Sequence, residues 1–391
     1  MKKLFCLSYL LFITIIPVFA QDSLIREMSK GYVKTFLPEN RSFTGEGWEQ
    51  ILEKAGRSNY VLIGEDHLMN EVPMFCAALL NQIKFDNIFC EIDPFSAKII
   101  ESKIHKMKEP ELAKFVSDYG NTFSFFAMKP ELDLLKQVAA KTNVYGLDQI
   151  LIVADRLICS ELKKTTKNAA AAKIYQEIEN QSKIHFENFL KDPSQPFYML
   201  TPDFEKRLAT LSAMKLSTDE VEIVDKLKLT ARIYKQQNHH LRIQLIKSQL
   251  MEKYGDWADK KSLFKYGSVH LPKGQSLLDI YDIGNLIHNI ADSKFQQSLH
   301  IMIVAKSGFQ ASPFKGFPDS PIEVEGDELK ALKPIFGINT GKNWQCIDLA
   351  ALNAAIAKSK VRVENKKMTQ ILEGYDLLIV IPAATPAKFA F

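Results

Sequence analysis

The sequence has no CxxC pair, no GxSxG elbow, no HExxH helix, no GxxxxGK(S/T) loop and no GxGxxG fingerprint. Those gaps exclude CxxC redox chemistry, the serine α/β-hydrolase elbow, the zincin helix, the P-loop and the dinucleotide turn. Long blocks of like charge, low-complexity tracts and fixed-period repeats are also missing. The formal charge is only +4, which leaves no polyanion footprint and predicts no nucleic-acid partner. Cysteine is sparse, five in 391 residues. Cys76, Cys90, Cys159 and Cys346 are spaced unsuitably for zinc. Cys76 in an apolar helix and Cys90 in a buried strand read as small hydrophobes.

What is present begins with a leader. Lys2 and Lys3 precede an apolar run from Leu4 to Val18, and Val18-Phe19-Ala20 places small residues at −3 and −1. This is a secretory signal with cleavage after Ala20, and it predicts an exported protein, periplasmic or secreted. Cys6 lies near the start of the run rather than after it and does not read as a lipidation site. Cleavage removes two lysines, so +4 becomes +2. No later run approaches the roughly 20 apolar residues of a membrane span. No transmembrane span is expected once the leader is gone.

Residues 21–391 read as a single α/β domain. Short apolar runs bounded by turn residues recur at Tyr60–Ile63, Asn87–Cys90, Val144–Tyr145, Leu263–Tyr266, His300–Val304, Cys346–Leu349 and Leu377–Ile381. Those richest in Val, Ile and Phe have the composition of strands buried on both faces. Helical patterns at Pro73–Ile83, Phe95–Met107 and Pro130–Ala140 alternate with the early strands. The alternation predicts βαβ units and a mainly parallel central sheet flanked by helices. From about 150 to 257 the rhythm stops and helix signals take over, so a large helical insertion is expected. Its last element is predicted as one long helix from Thr218 to Lys253, with Asn238 interrupting the apolar stripe.

Four predicted strands end in glycine, acid or histidine. Gly64-Glu65-Asp66-His67 follows the first, with Glu71 close behind. Glu91 and Asp93 follow the second, Gly146-Leu147-Asp148 the third, and Gly267-Ser268-Val269-His270 the fourth. The carboxyl ends of parallel strands are where α/β sheets bind ligands. Convergence on one sheet edge is what marks these residues, since each alone has an ordinary structural explanation. On the insertion, Asn238 and Arg242 lie one helical turn apart and either line the site or tie the insertion to the sheet. His239 and His240 are adjacent, point different ways and read as surface or packing residues. His105, His185, His288 and His300 lack acidic company. Phe123, Phe125 and Phe126 read by default as core, with a pocket wall as the alternative.

At these motifs the sequence resembles the erythromycin-esterase/ChaN-like/Tiki superfamily, over roughly residues 60–300. The helical insertion and the length resemble the erythromycin-esterase branch, and Asn238 and Arg242 resemble an Asn/Arg helix pair there. The single residue between Glu65 and His67 resembles the ChaN-like branch instead, which departs from the esterase spacing. The resemblance implies an exported hydrolase acting on an ester, amide or lactone, with a small-molecule or peptide substrate. Glu65, His67, Glu91 and His270 would then be catalytic, with His67 activating water. Glu71, Asp93, Asp148, Asn238 and Arg242 would contact substrate. A divalent metal (Zn, Mn or Co), where used, would take Glu65, His67 and His270 as ligands. The alternative it implies is a haem- or iron-binding uptake protein without turnover.

Overall fold

The computed structural model describes residues 22–391 except 140, 324–325, 337–340 and 360. The expected leader and its cleavage site lie outside the described residues. The strands are β1 (Val33–Glu39), β2 (Ser42–Thr44), β3 (Tyr60–Glu65), β4 (Asn87–Cys90), β5 (Asn143–Gly146), β6 (Ser262–Gly267), β7 (Ser298–Ala305), β8 (Phe309–Gln310), β9 (Ser320–Pro321), β10 (Trp344–Asp348) and β11 (Leu377–Ile381). Nine of them form one sheet in the order β2-β1-β10-β11-β7-β3-β6-β4-β5, and β8 and β9 form a separate ribbon. From β11 to β5 every neighbouring pair is parallel. β10, β1 and β2 add an antiparallel edge that the sequence reading did not anticipate.

The apolar runs are continuous because both faces of the sheet are covered. Side chains alternate along each strand. Val61, Ile63, Ile88, Cys90, Leu263, Ile301 and Ile303 enter one core with the Glu46–Arg57, Glu71–Gln82, Pro94–Lys106 and Lys129–Ala139 helices. Leu62, Phe89, Phe264, Tyr266, Met302 and Val304 enter the other, with the Ile283–Ser293, Leu349–Ser359 and Lys366–Gly374 helices. The four cysteines after the leader are buried and unpaired, and burial raises all four thiol pKa values.

The insertion is helical throughout and has a core of its own, built on Ile158, Tyr175, Ile178, Tyr198, Phe204, Leu208 and Leu227. The expected long helix is two helices. Thr218–Gln236 ends at Gln237, whose φ of 48° is left-handed, and Asn238 caps His239–Glu252 through Oδ1 to the Leu241 N–H. An apolar stripe continued across the break, so periodicity alone did not reveal it. Asn prefers the cap because its side chain satisfies an orphan N–H of the first turn.

Strand order decides where the ligand edge lies. The chain leaves β4 outward to β5, then returns after the insertion as β6, in the slot between β3 and β4. From β6 it crosses β3 to reach β7. The direction of progress therefore reverses around β3, β6 and β4, the kind of switch point at which open α/β sheets hold ligands. Among the described residues no helix is long and apolar enough to cross a membrane.

Candidate active site

Each strand end at the switch point delivers at least one ionisable group, and register brings them together. Glu65 pairs with Gly267 across β3 and β6, and Cys90, just before Glu91, pairs with Lys265 and with Gly146. Beyond β3 the chain bends, and His67 Nδ1 lies 2.9 Å from Glu65 Oε1. On the other side of the ring, His67 Nε2 lies 3.3 Å from Glu91 Oε2. The Gly267 N–H donates to the same Glu91 oxygen at 2.7 Å. A Cβ at Gly267 would sit 2.9 Å from His67 Nε2, so only glycine permits this approach. Gly64 has no turn to relieve. It lies inside β3 instead, where a Cβ would come within 3.0 Å of Ser268 Cα.

Glu91 is the hub. Its Oε1 accepts from Arg242 Nη2 at 2.7 Å and lies 3.5 Å from His270 Nε2. Arg242 also grips Asp148 with Nε at 2.9 Å and Nη2 at 2.6 Å, the two-pronged geometry that suits guanidinium and carboxylate. His270 Nδ1 lies 2.7 Å from Asp282 Oδ2, while Asp282 caps the Ile283–Ser293 helix through Oδ1. Two imidazoles thus share one carboxylate, and each has a second carboxylate on Nδ1. The His67 side chain is 24% exposed, against 6% for Glu91 and 2% for His270, so His67 is the face open to solvent.

Charge follows from these contacts. Burial works against the imidazolium of His67, but Glu91 and Glu65 outweigh it and push its pKa up to about 10. Burial likewise opposes charge on His270, and Glu91 with Asp282 raises it to about 9. Burial disfavours the ionised form of Glu91, yet His270 and His67 hold it well below the usual carboxylate range.

The loops that feed the cluster are held in left-handed conformations uncommon for residues with side chains. Leu68, directly after His67, has φ 68°, Ser124, before Phe125, has 53°, and Gln237, before Asn238, has 48°. The Leu68 carbonyl accepts from both Ala311 N and Ala387 N. The end of the chain therefore clasps the His67 loop, and Lys129 N donates to the Lys388 carbonyl just before the helix that carries Glu131.

Comparison with known proteins adds the fold. No family model matches the sequence, and no curated protein matches it by sequence. Solved structures do match. A Bacillus cereus protein aligns over 94% of this chain and 99% of its own at 14% identity and TM-score 0.55. A succinoglycan biosynthesis protein aligns over 93% and 97% at 13% identity and TM-score 0.55. A mutant of the erythromycin esterase EreC in its open conformation aligns over 88% and 95% at 13% identity and TM-score 0.54. The chain has the erythromycin-esterase fold.

In this chain, Glu65, His67, Glu91, His270, Asp148 and Arg242 are brought into one connected cluster. Three other expected substrate contacts hold partners outside that cluster. Glu71 accepts from Thr385 N at 3.1 Å and Thr385 Oγ1 at 2.6 Å, which fastens the end of the chain. Asp93 caps the Pro94–Lys106 helix by accepting from Phe95 and Ser96 N–H groups. Asn238 is the cap already described. The metal set implied by the resemblance is Glu65, His67 and His270. Among the described residues the group with ligand atoms mutually within 4.8 Å is His239, His270 and Asp282, two ring nitrogens and a carboxylate of the type Zn or Mn accepts. Arg242 lies close enough to His239 to depress its basicity after burial and His270 have done so, and a cation there disfavours a second one.

Sequence reasoning missed four members. Phe125 stacks on His67 with centroids 3.9 Å apart and planes 16° from parallel. Lys265 and Glu131 continue the cluster inward from Glu65. Asp282 orients His270. Lys265 carried a legible signal: a lysine amid Leu263, Phe264 and Tyr266 in a strand covered on both faces has no solvent to reach. Phe125 and Asp282 carried none, because both act through contacts between distant segments.

Proposed function

We propose that this chain is a hydrolase of ester, amide or lactone bonds that uses His67 to activate water. The observation that carries the reading is the His67 ring, part exposed, with one nitrogen fixed on Glu65 and the other facing Glu91 beside the imidazole of His270. A carboxylate on Nδ1 sets the tautomer, leaving Nε2 as the nitrogen that exchanges a proton. With Nε2 free, His67 takes a proton from water as the water oxygen bonds to the carbonyl carbon. The carbonyl π electrons move to oxygen. The His270 imidazolium and the Arg242 guanidinium supply positive charge for that oxyanion. The intermediate collapses by expelling the alcohol or amine, which takes the proton back from His67. All atoms are accounted for by substrate and water.

The same geometry gives little support to haem. A haem ligand must present an unprotonated ring nitrogen to iron. Here every nitrogen of His67 and His270 faces a carboxylate, and Phe125 covers one face of His67. Export remains part of the proposal and rests on the leader alone.

The test is turnover of a panel of chromogenic esters, anilides and lactones by the purified chain, His67→Gln and His270→Gln. Hydrolysis lost in His67→Gln supports the assignment. Hydrolysis that survives in His67→Gln overturns it, as does a wild type inert on the whole panel that gives a Soret band with haem.

A further inference from the structure

Lys265 lies in the middle of β6 with its ammonium 2.6 Å from Glu65 Oε1 and 2.6 Å from Glu131 Oε1. The side chains are 6% exposed for Lys265, 2% for Glu65 and 4% for Glu131. Its register neighbours, Ile63 on β3 and Cys90 on β4, are apolar. The surrounding wall is Cys76, Leu134, Leu135, Val138 and Leu263. Nothing in that packing asks for a charge. A buried ion pair is weak evidence for stability, and apolar replacement of such pairs is often neutral or stabilising. The position makes sense through what it touches.

Glu65 Oε1 is the common acceptor. It receives Lys265 Nζ from below and His67 Nδ1, 2.9 Å away, from above. Among the described residues, Glu65 Oε2 and Glu131 Oε2 have no hydrogen-bond partner and are buried, so neither carboxylate is oriented by a described group on its second oxygen. The ammonium is what fixes the oxygen against which the His67 ring is set. We infer that Lys265 and Glu131 are positioning residues for the reaction, holding Glu65 ionised and in place so that the His67 ring keeps its proton on Nδ1 and its exchanging nitrogen toward the cleft.

Glu131 has the matching part. The Lys129–Ala139 helix that bears it begins at the segment bridged to Phe389 through Met128. Burial, opposed by Lys265 and aided by Glu65, pushes its pKa up to about 7. The charges support the arrangement. Glu65, Glu91, Asp148, Asp282 and Glu131 face Lys265, Arg242 and the two imidazoles, so a carboxyl able to hold a proton at Glu131 offsets the excess of acids. The inference rests on the hydrolase reading for its kinetic arm only.

The experiment compares the full-length mature chain with Lys265→Met and Glu131→Gln, by thermal melting, by NMR of the His67 ring protons assigned against His67→Gln, and by kcat and KM on an ester the wild type hydrolyses. In Lys265→Met the Tm is expected to fall, because Glu65 and Glu131 are left buried without their cation, while the Nδ1 proton of His67 exchanges at least about tenfold faster. Its kcat is expected to fall about 10- to 100-fold, the range for partners that orient a reacting group, with KM nearly unchanged. Glu131→Gln, which keeps an acceptor for Lys265, moves the same readouts less, and it carries the test if Lys265→Met does not fold. Unchanged shift and exchange of the His67 ring proton in the folded variants overturns the inference. An inert wild type overturns the hydrolase reading instead, and the ring proton still decides the positioning pair.

Discussion

His67 and His270 stand on opposite oxygens of one carboxylate, with Nε2 of the first 3.3 Å from Glu91 Oε2 and Nε2 of the second 3.5 Å from Glu91 Oε1. The segments that carry them are far apart in sequence and meet only because β6 lies between β3 and β4. One carboxylate thereby governs the charge of both rings.

Replacing the ring that takes the proton should remove the reaction and spare the fold. His67→Gln is expected to lower kcat/KM about 100- to 10,000-fold, the usual contribution of a positioned acid–base group. Circular dichroism should stay that of the wild type. A loss below tenfold in steady-state ester hydrolysis would move the proton-transfer role to another group.

The pH dependence of catalysis follows from the sign of the His67 shift. Its active form is the neutral ring, and its pKa lies at about 10 rather than 6.5. The rate as kcat/KM should therefore climb through neutral pH, peak between about 9 and about 10, and fall beyond as His270 loses the charge that serves the oxyanion. A plateau already reached at pH 7 would contradict the contacts to Glu65 and Glu91.

The same shifts predict a stability profile. His67 at about 10 and His270 at about 9 both exceed the ordinary 6.5, so the folded chain binds these protons more tightly than the unfolded one. The resulting stabilisation is complete below pH 6.5 and is lost as pH rises through about 9 and about 10. Melting temperatures should decline across that interval, and His67→Gln should flatten part of the decline.

Gly267→Ala tests the close approach. Its methyl group would meet His67 Nε2 at 2.9 Å and Glu91 Oε2 at 3.4 Å. Overpacking of this kind costs about 1–3 kcal/mol, and the ring must swing away from Glu91 to relieve it. Denaturant titration should show the destabilisation, and hydrolysis should drop with it.

Asn238→Ala separates a cap from a substrate contact. Loss of the cap bond to the Leu241 N–H should cost about 0.5–2 kcal/mol. KM should stay within about twofold, as expected of a group whose oxygen is committed to its own helix. A large rise in KM with unchanged stability would return Asn238 to the site.

The parallel sheet and the cluster at its edge were legible because strands covered on both faces leave long apolar runs, and their ends stand out as sudden Gly, Glu and His. Glu71, Asp93 and Asn238 show where that reading stops. All three sit at or beside a helix start, where an acid or Asn can satisfy backbone N–H groups or bind a ligand, and only the fold decides between them. His239 reads as a surface or packing residue because neighbouring helix positions diverge, and the break at Gln237 turns the start of its helix toward His270, with ring centroids 5.7 Å apart. The edge strands β1 and β2 escaped notice because their alternation is polar and short.

The placement of β6 has a consequence for how the molecule is made. Glu65 and Lys265 are 200 residues apart along the chain, so a nascent chain emerging from the ribosome holds Glu65, His67 and Glu91 long before the strand that joins them exists. Until residues 262–267 arrive, β3 and β4 have an open groove between them with unpaired backbone on both sides. Such late, non-local closure is slow and leaves strand edges exposed to aggregation. The helical insertion, with a core of its own, is suited to fold during that wait, which would make assembly of the reaction centre one of the last events in maturation.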